Sequence, residues 1–216
     1  MPSLALFDLD NTLLNREAAF ALWARSFIEE NDLSNDDWPI IEKLDADGLS
    51  RKELFFDEVR ETFGITKDVK DLIADYNVKY PAYYSINEGT VRAVRRLRSN
   101  GWKVGVVTNG SPSQWKKFEV TNIAREFDAV CISAIVGVRK PDVAIFEEAA
   151  RLCEVPLDGW MVGDSAIADI DGGKRAGLKT IWMSRGRLWD PSVPSPDAIV
   201  NSISEAVEVI MGVESA

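Results

Sequence analysis

The stretch LALFDLDNTLLN, residues 4–15, places four apolar residues directly before two aspartates. A short apolar run of this kind is typical of a fully buried strand in a parallel sheet. Asp8 and Asp10 then follow the strand, with Thr12 at the same spacing. Two carboxylates about 4 Å apart repel by about 4 kcal/mol at an effective dielectric of about 20, so this pair needs a metal ion, a lysine or a shared proton beside it.

Further short apolar runs follow, and helical patterns separate them. The runs are Lys103–Val107, Ala129–Ser133, Trp160–Val162 and Thr180–Met183. The helical patterns are Thr90–Ser99, Ser113–Ile123, Val143–Cys153 and Ile167–Ala176. Because strands that alternate with helices are joined by right-handed crossovers, the pattern predicts an α/β fold with a doubly wound parallel sheet.

Residues 16 to about 85 interrupt this alternation. They hold no strand-like run, but they contain amphipathic patterns near 16–31, 36–46, 50–63 and 67–80. Since a structureless loop of this length is uncommon in a compact domain, we expect an inserted all-helical domain. The predicted organisation is a sheet-containing core of residues 1–14 and 87–216 and an inserted helical domain of residues 15–86.

Composition limits the classes of function. With 216 residues and 46% apolar content, the chain can bury a substantial core. A net charge of −10 argues against nucleic acid as a partner, since phosphate neutralisation needs a basic face. No apolar run approaches the length of a membrane helix, and Asp8 and Asp10 interrupt the N-terminus where a secretory peptide needs its apolar segment. We therefore expect no membrane partner and a cytoplasmic location.

The chain contains no histidine, which excludes histidine-ligated zinc, Ser-His-Asp triads and phosphohistidine chemistry. Acid–base chemistry must then come from carboxylates, lysine, tyrosine or cysteine. The two cysteines, Cys131 and Cys153, are too few for a disulfide scaffold or a thiolate metal cluster. We expect both to be buried free thiols.

Polar residues follow several of the predicted strands, where an open parallel sheet binds its ligands. Thr108, Asn109 and Gly110 end or follow the second strand, Lys140 comes after the third, and Asp164 follows the fourth with Asp169 five residues on. These side chains are expected to meet the first aspartates at one edge of the sheet. Oxygen ligands of this kind suit Mg²⁺.

Four motifs occur in order along the chain, and each follows its own predicted strand. They are DLDNT from Asp8, VTNG ending at Gly110, RKPD ending at Asp142 and GDSAIAD from Gly163. Together they resemble the four motifs of the haloacid dehalogenase-like (HAD) hydrolase superfamily, and the insertion is similar to the cap of its α-helical cap class. The resemblance covers nearly the whole chain. It implies a Rossmann-like core and, in most members, hydrolysis of a phosphate ester through an aspartyl-phosphate intermediate.

The resemblance implies a role for each site residue. Asp8 would be the nucleophile, and Asp10 would start protonated, donate that proton to the leaving group and then activate water. Mg²⁺ would be held by the Asp8 side chain, the Asp10 backbone carbonyl and Asp164. Lys140 would be a catalytic cation, and Asp169 would lie near it in the second shell around the metal. The substrate phosphate would be bound by Thr108, Asn109 and Gly110. Ala168 stands where relatives more often carry an acidic residue or asparagine.

Several of these residues have a simpler interpretation. Asp10 and Thr12 could be turn and capping residues before the helix at residue 16. Lys140 could be a solvated residue at a helix start, and Asp169 a surface acid. The cap aromatics are expected to pack the helices against one another and not to contact substrate; they are Phe20, Trp23, Trp38, Tyr83 and Tyr84. Arg185 and Arg187 follow the last predicted strand, where we expect them to be surface residues, with a place at the mouth of the site as the alternative.

The predicted function is Mg²⁺-dependent hydrolysis of a small phosphorylated metabolite, such as a sugar phosphate or a nucleotide monophosphate. A phosphomutase with the same core is the nearest alternative. A haloacid dehalogenase needs no general acid, and that subfamily lacks an aspartate at the position of Asp10. A phosphoacceptor signalling domain lacks the late GDSAIAD element and the helical insertion. The physiological substrate and the choice between monomer and homodimer stay open.

Overall fold

Strand β1 (Leu4–Phe7) lies inside a six-stranded sheet, and all of its residues are buried. Its two neighbours are β2 (Lys103–Thr108) and β4 (Gly159–Gly163), which pair with it in parallel. The computed structural model describes residues 3–212. A strand that is covered on both faces has no solvent-facing position, which is why its sequence is an unbroken apolar run.

The order of the strands is β3-β2-β1-β4-β5-β6, and every adjacent pair is parallel. The outer strands are β3 (Ala129–Ile132), β5 (Lys179–Met183) and β6 (Ala198–Val200). The chain therefore winds outward in both directions from β1, and a doubly wound sheet leaves a crevice where this reversal occurs. The predicted α/β, Rossmann-like fold is confirmed.

Arg16–Ser85 form a compact unit of their own, and residues 3–15 and 86–212 form the other. The helices of the first unit are α1 (Arg16–Glu30), α2 (Trp38–Asp45), α3 (Lys52–Phe63) and α4 (Val69–Lys79). Short 3₁₀ turns connect several of them. This unit is helical throughout its regular structure, as the sequence predicted.

Aromatic side chains fill the interior of the helical unit. The ring of Trp23 lies 4.8 Å from that of Tyr76 and 5.2 Å from that of Phe27, measured between centroids. Phe20 and Trp23 are each 3% exposed, and Trp38 packs on Phe20 at 6.0 Å. These aromatics pack the helices against one another. The structure therefore supports the interpretation of Phe20 and Trp23 as packing residues.

A buried ion pair joins α1 to the end of α2. Nη2 of Arg16 lies 2.7 Å from Oδ1 and 2.6 Å from Oδ2 of Asp45, and the side chains are 9% and 2% exposed. The backbone N–H of Gly48 donates to Oδ2 of Asp45 at 2.9 Å. Each charged group therefore relies on the other, since a single buried charge without its partner is strongly destabilising.

The sheet-containing unit carries six further α-helices, several of them capped by side chains. They are α5 (Glu88–Ser99), α6 (Gln114–Thr121), α7 (Ser133–Val136), α8 (Val143–Leu152), α9 (Gly172–Arg175) and α10 (Ile203–Met211). Asn87, Asp142 and Ser202 accept backbone hydrogen bonds at the starts of α5, α8 and α10, as capping residues do. Within residues 3–212, none of the helices combines the length and apolarity needed to cross a membrane.

The sequence prediction differs from the structure in one predicted helix and in three elements that it did not contain. Ile167–Ala176 is not one α-helix, because Ala166–Asp171 is π-helical and α-helix resumes only at Gly172. Strand β6 and helices α7 and α10 were not predicted. By contrast, Cys131 and Cys153 are buried free thiols, as predicted, and burial raises the pKa of each to about 11.

Removing the charge of Asp45 tests the buried ion pair. We expect Asp45→Asn to lower the free energy of unfolding by about 3–5 kcal/mol, because Arg16 then loses its buried carboxylate partner at 2.6 Å and keeps only the exposed Asp47 at 3.7 Å. Urea unfolding followed by circular dichroism measures the change. The matched control is Asp47→Asn, since Asp47 lies 3.7 Å from Arg16 but is 43% exposed, and an exposed pair contributes about 0–1 kcal/mol. Equal losses in the two variants would contradict this account.

Candidate active site

The carboxyl ends of the central strands carry most of the predicted site residues. Asp8 follows β1, Thr108 ends β2, and Asp164 follows β4. The backbone N–H of Asp8 donates to the carbonyl of Val162 at 2.9 Å, which continues the pairing of β1 with β4 for one more residue. Asp8 is therefore held by the sheet itself.

Lys140 bridges two buried carboxylates. Its Nζ lies 2.6 Å from Oδ1 of Asp8 and 2.6 Å from Oδ1 of Asp169. Lys140 is 3% exposed and Asp169 is 1% exposed. Burial alone would lower the pKa of Lys140, but Asp169 and Asp8 raise it above its ordinary value. Lys140 is thus a charged site residue and not a solvated one, and Asp169 is not a surface acid.

The ionisation of Asp8 reflects the same surroundings. Burial raises the pKa of Asp8 to about 7, with Lys140 acting in the opposite direction and Asp169 and Asp10 adding to the rise. Asp169 also has a raised pKa, for which burial is the main cause and which Lys140 opposes. A cation near these two carboxylates therefore favours their ionised forms.

Two arginines contact Asp164. Nη1 of Arg185 lies 3.0 Å from Oδ2 of Asp164, and Nη2 of Arg187 lies 3.2 Å from the same oxygen. Nη2 of Arg187 also donates to the backbone carbonyl of Asp164 at 2.8 Å, as does Nε1 of Trp182 at 2.9 Å. Burial raises the pKa of Asp164 to about 6, Asp8 adds to the rise, and the arginines oppose it. The structure therefore places Arg185 and Arg187 at the site.

Asp10 has a separate set of partners on α6. Nζ of Lys117 lies 2.7 Å from Oδ1 and 2.5 Å from Oδ2 of Asp10. Nε2 of Gln114 donates to Oδ2 of Asp10 at 3.1 Å and to Oγ1 of Thr108 at 3.1 Å. An ammonium on both oxygens suits an ionised carboxylate, so Lys117 would have to leave one oxygen before Asp10 could carry the predicted proton.

The proposed capping role of Thr12 does not match its surroundings. Thr12 is 7% exposed, and its hydroxyl makes no hydrogen bond within the described part of the chain. It therefore caps no helix.

The loop after β2 is held by contacts across the edge of the sheet. The Asn109 side chain accepts from the Lys140 backbone N–H and donates to the Lys140 carbonyl, both at 2.9 Å. The backbone N–H of Gly110 donates to Oγ of Ser133 at 3.0 Å. Asn109 thus fixes the backbone that carries Lys140. Gly110 would have to share or give up its bond to Ser133 in order to hold a phosphate oxygen.

The acids and bases at this edge balance one another. Asp8 and Asp169 share Lys140, Asp10 faces Lys117, and Asp164 faces Arg185 and Arg187. Four carboxylates are therefore matched by four basic side chains. This balance is how the protein tolerates the crowded carboxylates that the sequence showed, since each like-charge repulsion is offset by a nearby opposite charge.

The predicted metal fits this donor set. Carboxylate oxygens of Asp8, Asp164 and Asp169 lie within 4.8 Å of one another, and hard cations such as Mg²⁺ bind oxygen ligands. The sequence analysis placed Asp169 outside the metal ligands. In the structure its carboxylate belongs to the same acidic cluster as Asp8 and Asp164. The Asp10 carboxylate contacts Lys117 and Gln114, which leaves its backbone carbonyl as the predicted ligand.

Sequence analysis missed Lys117 and Gln114 and favoured surface positions for Arg185 and Arg187, which instead contact Asp164. All four lie beyond the motifs, on α6 or in the loop after β5. A signal was present for the α6 pair. Gln114 and Lys117 are three residues apart, so they lie on the same face of a helix that begins just after the VTNG motif.

Comparison with known proteins agrees with the fold. The family model for the haloacid dehalogenase-like hydrolases matches residues 2–177. Glyceraldehyde 3-phosphate phosphatase of Pyrococcus abyssi is 31% identical over 200 residues, which cover 87% of this chain and 83% of that protein. Phosphoserine phosphatase of Thermus thermophilus is 30% identical over 203 residues, with 89% and 79% covered.

A solved structure is also similar. The HAD-hydrolase YfnB from Bacillus subtilis, in a crystal form bound to magnesium, superposes with a TM-score of 0.79 and 23% identity. The match covers 97% of this chain and 99% of that chain. At this identity the likeness concerns the fold.

Replacing Gly163 by alanine tests how closely the acidic cluster is packed. A Cβ atom at this position would lie 2.2 Å from Cγ and Oδ2 of Asp169. We expect Gly163→Ala to lower the free energy of unfolding by about 1–3 kcal/mol, because overpacking must displace the carboxylate that Lys140 contacts. Urea unfolding measures the effect. A variant with wild-type stability would show that Asp169 can move away without cost.

Proposed function

The chain belongs to the haloacid dehalogenase-like hydrolase family, and from this premise we propose that it is a phosphatase acting on a small phosphorylated metabolite through an aspartyl phosphate on Asp8. One observation carries the proposal. Asp8 and Asp10 lie two residues apart, yet each contacts its own lysine, Lys140 or Lys117. Two neighbouring carboxylates in different surroundings can perform different chemical tasks.

In the first step, a carboxylate oxygen of Asp8 attacks phosphorus, and the bond from phosphorus to the ester oxygen breaks. Asp10 donates a proton to the departing alkoxide. A carboxylate nucleophile divides one difficult displacement into two easier ones. Lys140 contacts Oδ1 of Asp8 and so limits the directions from which that carboxylate can approach phosphorus.

In the second step, water attacks the phosphorus of the aspartyl phosphate, and the bond from phosphorus to Asp8 breaks. Asp10, now ionised, takes a proton from that water. The contact of Lys117 with both oxygens of Asp10 suits this ionised form. Thr108 and the backbone of Asn109 are the proposed ligands of the phosphoryl oxygens, and Gly110 joins them if Ser133 releases its N–H.

The residues that would hold Mg²⁺ are Asp8, Asp164 and the backbone carbonyl of Asp10, with Asp169 beside them. Bound there, Mg²⁺ would supply positive charge to the phosphoryl oxygens. The cluster of three carboxylates supports this proposal, because it offers oxygen donors within a short span.

The proposed substrates are sugar phosphates and nucleotide monophosphates. Two relatives, glyceraldehyde 3-phosphate phosphatase and phosphoserine phosphatase, bear the names of enzymes of small phosphate monoesters. Because four basic side chains already offset the four carboxylates at this edge, a bound Mg²⁺ would leave net positive charge there, which favours a small anion even on a chain with a net charge of −10. The Asp10 network also argues against a dehalogenase, because a leaving halide needs no proton. Location in the cytoplasm stays a prediction.

A screen of phosphorylated metabolites tests the proposed function. The protein is incubated with Mg²⁺ and a few dozen candidate esters, and both free phosphate and the remaining ester are measured. We expect phosphate release from one or more small esters and its loss in EDTA. Conversion of a sugar phosphate into an isomer without phosphate release would indicate a mutase, and undiminished turnover in EDTA would contradict the role of the metal.

Asp10→Asn tests the division of tasks between the aspartates. On alkyl phosphates, whose leaving groups need a proton, we expect kcat to fall by about 10²–10⁴-fold, the usual range for a lost general acid or base. On p-nitrophenyl phosphate the first step is expected to be spared, and a burst of nitrophenolate then precedes slow turnover. Rapid-mixing absorbance measures the burst. Equal losses on both esters with no burst would contradict the assigned role.

A further inference from the structure

Lys117 lies on the buried face of α6, although lysine is rarely buried without a charged partner. It is 8% exposed, its Nζ contacts both carboxylate oxygens of Asp10, and its neighbour Lys116 points to solvent. We propose that Lys117 and Gln114 are positioning residues that fix the ionised Asp10 carboxylate, the form that takes the proton from water in the second step. This inference rests on the proposed phosphatase function.

Asp10 lies where contacts from another element can set the orientation of its carboxylate. It lies past the end of β1, in a tight loop in which Asn11 has a φ of 60° and the N–H groups of Leu13 and Leu14 both bond to the carbonyl of Leu9. The Asp10 side chain is 23% exposed. An unrestrained carboxylate samples several rotamers, and proton transfer requires one orientation.

The two α6 residues remove this freedom together. Lys117 contacts both oxygens of Asp10, and Gln114 adds a third contact to Oδ2. Three contacts on two oxygens define the plane of the carboxylate as well as its position. Both side chains come from one turn of a helix, so they act as a rigid pair.

Gln114 also ties Asp10 to the proposed phosphate loop. Its Nε2 donates to Oγ1 of Thr108, which is 1% exposed, as well as to Asp10. A Cβ atom on Gly110 would lie 2.7 Å from Cγ of Gln114 and 2.9 Å from its Nε2. Glycine at this position therefore makes room for the glutamine, and one side chain sets the distance from the acid–base group to the phosphate loop.

Two other roles for Lys117 make different predictions. As a direct phosphate ligand, it would lower KM for every ester and act independently of Asp10. As a structural residue alone, it would affect stability and leave the balance between the two steps unchanged. A positioning residue acts through Asp10, so its removal matters only while Asp10 can transfer protons.

The test compares Lys117→Met with Lys116→Met, which removes the same charge from an exposed neighbour. We expect Lys117→Met to lower kcat on alkyl phosphates by about 10–100-fold, part of the full effect of a general acid or base, with KM little changed. On p-nitrophenyl phosphate it should show a nitrophenolate burst that the wild type and Lys116→Met lack. Lys117→Arg, which keeps the charge, should recover part of the lost rate.

A double variant gives the decisive readout. In the Asp10→Asn background, Lys117→Met should cause no further loss, because two residues that act as one unit are not additive. The proposal would be overturned if the fold-losses of the two single variants multiplied in the double variant. Equal losses on both ester types without a burst would also overturn it. If Lys117→Met melts below the assay temperature, Gln114→Met and Lys117→Gln carry the same comparison. A wild-type protein that releases phosphate from no ester would instead contradict the proposed function itself.

Discussion

The electrostatic matching of four carboxylates by four basic side chains is the interaction on which the site depends. Parallel strands bring Asp8 and Asp164 to the same edge of the sheet, and a turn of π-helix adds Asp169. Buried carboxylates so close together would take up protons or push apart if no cation stood among them. Lys140, which is itself buried, joins Asp8 to Asp169 and is therefore central to the arrangement.

The backbone around this cluster is arranged to keep the carboxylates in place. Gly163 leaves room for the Asp169 carboxylate, and Asn109 bonds to both backbone groups of Lys140. The π-helical residues Ala166–Asp171 fit the same interpretation, because π-helical turns occur frequently at functional sites. The backbone N–H of Ser165 donates to the second oxygen of Asp169 at 2.9 Å, so that both oxygens are engaged.

The two aspartates of the first motif differ in what surrounds them. Asp8 lies in the buried cluster with Lys140, whereas Asp10 contacts α6, and its side chain is partly exposed. The difference arises from backbone direction. The N–H of Asp8 still pairs with β4, whereas Asp10 lies beyond the strand, beside Asn11 with its φ of 60°, and its carboxylate contacts α6. A nucleophile needs a dry, fixed setting, and a proton carrier needs access to leaving group and water.

Much of the fold could be predicted because β1 is buried throughout and its neighbours β2 and β4 are buried over most of their length, and such strands have largely apolar sequences. The motif residues were found because each follows one of these strands. Strand β6 escaped prediction because it has three residues, one of them exposed. Lys117 escaped because a lysine on a helix is usually a surface residue. Its burial depends on Asp10, which lies 107 positions away in the chain, and periodicity within one helix carries no information about such a contact.

Locating the phosphoryl group tests the central claim most directly. Turnover of p-nitrophenyl phosphate by Asp10→Asn is quenched in acid, and peptide mass spectrometry then searches for the added phosphoryl group, with Asp8→Asn as the blank. The account predicts one phosphoryl group on the peptide that contains Asp8 and on no other. Steady turnover with no phosphoryl group on Asp8, or with the group on another residue, would contradict it.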